Sequence, residues 1–127
     1  MSKPYVIGID IGGTNTVFGI VDARGHVVAS DSVKTLKYAD FDDYITSLKD
    51  GIERLLRANE AEDKIQGIGI GAPNANYYTG EIINPPNLPW GPVIPLAEKV
   101  SEAFNGIPVA VTNDANAAAL GEMTYGA

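Results

Sequence analysis

Residues Gly8 to Asp22, GIDIGGTNTVFGIVD, run one apolar strand pattern into Gly12, Gly13, Thr14 and Asn15 and then resume a second. This order constrains the fold more than any other feature of the chain. A glycine-rich loop after a strand usually delivers phosphate to the amino end of a helix. Here Val17, Phe18, Ile20 and Val21 carry β-branched and aromatic residues without a helical stripe, so the loop feeds a second strand. The stretch therefore reads as a β-hairpin with an aspartate, Asp10, just before its tip.

Strands are expected at 6–11, 17–21 and 26–32, with Asp22-Ala-Arg-Gly25 supplying hairpin-turn chemistry between the second and third. From Phe41 the period changes. Phe41, Tyr44, Ile45, Leu48, Ile52, Leu55 and Leu56 mark one face of a helix, which Asp40 can cap. Ile65 to Gly71 is a buried strand, and Ala72 to Trp90 is a loop rich in Pro and Asn, with a short extra strand at 81–84. A second helix starts near Pro95 and stops at Gly106. Val109 to Thr112 is a strand, and Ala115 to about Tyr125 an Ala-rich helix capped by Asn113. The order β-β-β-α-β-loop-α-β-α predicts an α/β fold: a mixed five-stranded sheet, three antiparallel strands first, with helices on its faces.

Three segments carry chemistry. In the hairpin, backbone amides with the hydroxyls of Thr14 and Thr16 suit a phosphate, Gly12 and Gly13 allow close approach, and Asp10 can hold Mg²⁺ directly or through water. A tight hairpin using glycine only for positive φ is the alternative. In VTNDANAAALGE, Asn113 and Asp114 fall where a strand ends and a helix starts, the position of ligand-binding residues in α/β sheets. The helix dipole keeps Asp114 ionised there, as a general base requires; ordinary capping is the competing role. In GAPNANYYTGEIINPPNLPW, Asn74, Asn76, Asn84 and Asn87 offer uncharged donors and acceptors for sugar hydroxyls, with Trp90 as an apolar wall. Each Asn and Pro also serves as a turn former.

Composition narrows the partners. Nine Lys plus Arg against sixteen Asp plus Glu leave a net charge of −7, which argues against nucleic acid or an anionic membrane as partner. The chain contains no Cys, so disulfides and thiolate metal sites are excluded within it, and a reducing cytoplasm suits it. The start, MSKPYVIGIDIGG, lacks the pattern of a signal peptide, and no apolar run approaches transmembrane length. A cytoplasmic protein is expected. At 127 residues the chain reads as one domain.

In order and spacing, GIDIGGTNTVFGIVD, GIGIGAPNANYYTGEIINPPNLPW and VTNDANAAALGE together resemble the ROK family of repressors, open reading frames and sugar kinases, in particular its bacterial glucokinases. The resemblance implies an actin-like ATPase fold of the ribonuclease-H-like type and ATP-dependent phosphorylation of a hexose 6-hydroxyl. It would make Asp114 the base and Asn113 a sugar ligand, with Asn74 and Asn87 as sugar-side contacts. Asp10, Gly12, Gly13 and Thr14 would form the metal and phosphate end. ATP and Mg²⁺ are the implied cofactors, a hexose the substrate, and a homo-oligomer the expected full-length assembly.

Family members continue into a second lobe carrying further phosphate and adenosine contacts, a Glu and a His of the sugar site, and commonly a zinc site. Residues 1–127 are accordingly expected to be the amino-terminal lobe, inactive alone, with any zinc confined to the other lobe. The sole histidine, His26, is expected at the surface near a hairpin turn. Alternatives are a kinase for another hexose such as N-acetylmannosamine, an actin-like ATPase unrelated to sugars, and a sugar-sensing repressor. A repressor of this family adds an amino-terminal DNA-binding helix-turn-helix, whereas Lys3-Pro4 leads straight into the first strand.

Overall fold

The computed structural model describes residues 4–12, 14–35, 40–72, 75–76, 78–83 and 93–112. Its main sheet has five strands: β1 (Tyr5–Ile11), β2 (Asn15–Asp22), β3 (Val27–Lys34), β4 (Ile65–Gly71) and β8 (Val109–Thr112), ordered β3-β2-β1-β4-β8. β1 pairs antiparallel with β2, and β2 with β3, while β1, β4 and β8 run parallel. This is the mixed five-stranded sheet expected from the sequence. A second sheet of three short strands, β5 (Ala75–Asn76), β6 (Glu81–Ile83) and β7 (Val93–Ile94), joins the chain between β4 and the second helix. Only β6 is anticipated by the pattern, because two-residue strands carry no readable period.

Helix α1 (Phe41–Ala58) begins where expected, and the Asp40 side chain accepts a 2.8 Å hydrogen bond from the Asp42 amide. Such a cap is worth about 1 kcal/mol. Tyr44, Leu48, Ile52 and Leu56 are buried, and Phe41, Ile45 and Leu55 flank them. Helix α2 (Leu96–Ala103) follows Pro95 and ends three residues before the expected stop. There the Gly106 amide bonds the Ser101 carbonyl at 2.7 Å and the Ser101 hydroxyl donates to the Ile107 carbonyl at 2.8 Å. These bonds turn the chain toward β8 and satisfy groups that another helical turn would have used.

One continuous core lies between the sheet and these helices. Ile7, Ile9 and Ile11 of β1, Phe18 and Ile20 of β2, and Ile68 and Ile70 of β4 meet Tyr44, Leu48, Ile52, Leu96 and Val100 in it. Because side chains alternate along a strand, Asp10 points to the other face of the sheet from Ile9 and Ile11. The Ala-rich helix expected from Ala115 lies outside the described residues. Among the described residues, no helix is long and apolar enough to cross a membrane.

Candidate functional site

The parallel strands β1, β4 and β8 all finish at one edge of the sheet, where the β1–β2 hairpin also has its tip. In register, Asp10 lies beside Gly71 of β4, and Gly71 beside Thr112 of β8. With strands about 4.8 Å apart, this row sets the Thr112 backbone roughly 10 Å from that of Asp10. Ligands of open α/β sheets bind at such carboxyl edges.

The hairpin is tighter than the sequence implies, since β2 starts at Asn15 and only Gly12, Gly13 and Thr14 connect the strands. The Gly12 amide donates to the Asn15 carbonyl at 2.9 Å, and the Thr35 amide to the Thr14 carbonyl at 2.8 Å. A Cβ on Gly12 would stand 2.9 Å from the Asn15 carbonyl oxygen, so the turn admits no side chain there. Asp10 and Thr14 are exposed. Among the described residues, no hydrogen bond or ion pair engages the Asp10 carboxylate.

Thr16 belongs to β2 and is fully buried, its hydroxyl 2.6 Å from the Tyr44 hydroxyl and 2.8 Å from that of Thr35. Alternation turns Thr16 toward α1 while the neighbouring Asn15 and Val17 are exposed. Burial pushes the Tyr44 phenol well above its ordinary pKa, opposed by the Thr16 hydrogen bond, and keeps it protonated. Tyr44 reads in sequence as one more apolar stripe residue. The coincidence of its hydroxyl with two threonines distant in the chain is visible only in three dimensions.

Gly13, Asn74, Asn84, Asn87, Trp90, Asn113 and Asp114 lie outside the described residues, and of Asn76 only its place in β5 is described. His26 is exposed at the second turn, as expected, with Nδ1 4.0 Å from the Asp22 carboxylate. No cluster of three or more potential metal ligands occurs among the described residues. A lone exposed carboxylate beside glycine fits Mg²⁺, which commonly takes one or two carboxylates and completes its shell with phosphate and water. A cavity of about 480 Å³, lined by Ile7, Leu56, Ile65, Ile68, Phe104 and Ile107 among others, opens at the opposite, amino-terminal edge of the parallel strands.

Comparison with known proteins adds to this geometry. The chain is 37% identical over 121 residues to a glucokinase of Streptomyces coelicolor, covering 94% of this chain and 36% of that protein. It is 34% identical over 123 residues to a xylose repressor of Caldicellulosiruptor bescii, covering 95% and 30%. The solved ROK family glucokinase of Streptomyces griseus, in complex with glucose and AMPPNP, superposes with a TM-score of 0.71 at 33% identity, over 97% of this chain and 37% of that one. The chain thus spans about a third of the length of these relatives and has the actin-like ATPase fold of the ROK sugar kinases. The model of the ROK family matches residues 6–127, and the chain belongs to that family.

Proposed function

We propose that residues 1–127 form the amino-terminal lobe of a two-lobe kinase that uses ATP to phosphorylate glucose at its 6-hydroxyl. The observation that carries this reading is the shared edge at which the Asp10 hairpin ends and from which the chain enters Asn113-Asp114. The similarity to glucokinases supports it. Hairpin amides other than that of Gly12, which is bonded to the Asn15 carbonyl, and the Thr14 hydroxyl meet the nucleotide phosphates, and Asp10 would hold Mg²⁺. When bound, that ion neutralises charge on the phosphates. Asn113, Asn74 and Asn87 orient the sugar, and Asp114 accepts the proton of the 6-hydroxyl as the phosphoryl group is transferred in line. The second lobe closes the cleft and keeps water from the γ-phosphate.

In the full-length protein, Asp114→Asn is expected to lower turnover by roughly 10²–10⁴-fold, the range for a positioned general base, with sugar affinity much less changed. Near-normal turnover would return Asp114 to a capping role. The similarity to xylose repressors favours a second reading, a sugar-binding regulator without phosphoryl transfer. Absence of glucose-dependent ATP consumption by the full-length protein, with sugar binding retained, would select it.

A further inference from the structure

We infer that Tyr44 is a positioning residue for the phosphate-binding hairpin, acting from α1 through the buried hydroxyls of Thr16 and Thr35. The inference rests on the proposed reading of the hairpin as the nucleotide-phosphate site. Tyr44, Thr16 and Thr35 are each fully buried, and their oxygens form a chain, Tyr44 to Thr16 at 2.6 Å and Thr16 to Thr35 at 2.8 Å. The central Thr16 hydroxyl has one proton, so it can donate to one neighbour while accepting from the other. Thr35 is linked twice, because its amide also holds the Thr14 carbonyl at 2.8 Å. Through these bonds the first turns of α1, the start of β2 and the end of β3 converge on the back of the three-residue connection.

Stability alone does not ask for this arrangement. Apolar groups of the same shape fill such a space at comparable stability, because they avoid desolvating three hydroxyls. Directional bonds do something that apolar contacts do not: they fix the height of the hairpin tip relative to the sheet. Phosphate recognition by backbone amides needs that, since a shift of a few tenths of an ångström weakens several hydrogen bonds together.

The test uses the full-length kinase and compares Tyr44→Phe, Thr35→Ser, and the triple variant Tyr44→Phe/Thr16→Val/Thr35→Val. Tyr44→Phe is expected to raise the KM for ATP roughly tenfold, with the KM for glucose within about twofold of the parent. Thr35→Ser, which keeps the hydroxyl, holds the ATP KM near the parent value. The triple variant is expected to melt close to the parent temperature and still show the raised ATP KM, which a purely structural role would not produce. It also decides the matter should Tyr44→Phe fail to fold.

A normal ATP KM in the folded Tyr44→Phe or triple variant overturns the inference, as does an equal rise in both KM values. Gly13→Val separates the two levels of the proposal. If that variant loses ATP while Tyr44→Phe does not, the hairpin binds phosphate without needing the tyrosine. If a folded Gly13→Val keeps normal ATP kinetics, the phosphate reading itself falls.

Discussion

The two hairpin turns of the main sheet draw on the same residue types and use them in opposite ways. Between β2 and β3, the Asp22 carboxylate accepts hydrogen bonds from the amides of Arg24 at 2.9 Å and His26 at 3.0 Å. Its pKa lies below the ordinary aspartate value, chiefly through the His26 amide. That aspartate is consumed by its own turn. Between β1 and β2, Asp10 sits two residues before the turn on an exposed face, and backbone groups of Asn15 and Thr35 hold the loop instead. An acidic residue near a glycine turn is therefore drawn into the turn or left exposed according to whether the turn's own amides engage it.

Substituting the two aspartates is the sharpest way to break this contrast. In the full-length protein, Asp10→Asn is expected to lower turnover by on the order of 10²–10³-fold, as for loss of an electrostatic group at a transferring phosphoryl. The melting temperature should stay near that of the parent, as read by circular dichroism. Normal turnover of Asp10→Asn would make the two turns equivalent.

The glycines extend the comparison with smaller effects. On the proposed phosphate-binding reading, Gly13→Val should raise the KM for ATP by on the order of 10–10²-fold in the full-length protein, with glucose binding by calorimetry little altered. Gly25 has φ of 83° in the other turn, so Gly25→Val should cost about 1–2 kcal/mol of stability from left-handed strain. Denaturant melts would read that loss. ATP kinetics that changed in Gly25→Val would show that the second turn also reaches the nucleotide.

The smallest effect concerns pH. Asp22 has a folded pKa lowered from 3.8, so its stabilisation is present above the unfolded value and is lost as pH falls through the lower folded value. Asp22→Asn should then melt slightly below the parent at about pH 7, a small shift because the group is solvent-screened. The gap should close in acid, once both forms of the parent are protonated. A gap independent of pH would assign the loss to turn geometry and remove charge from the account.

Much of the fold was legible because it rests on local periodicity. The α1 stripe, the Asp40 cap, β4 and β8 follow from side-chain pattern and capping chemistry within a few residues. Asp10 and the glycine hairpin were legible for the same reason. The short strands β5 and β7 were not, since their pairing with β6 is made by neighbours distant in sequence and their two residues hold no pattern.

What the sequence by itself determined was the alternation that sends Ile9 and Ile11 to the core and Asp10 to the opposite face. What only the tertiary structure decided was the fate of the two threonines beside it. Thr14 and Thr16 look alike in GGTNT, but β2 begins at Asn15, and one residue of strand turns Thr16 away from the tip toward Tyr44 and Thr35. A hydroxyl seeks whatever partner the fold brings within hydrogen-bond distance, and those partners stand nineteen and twenty-eight residues away along the chain.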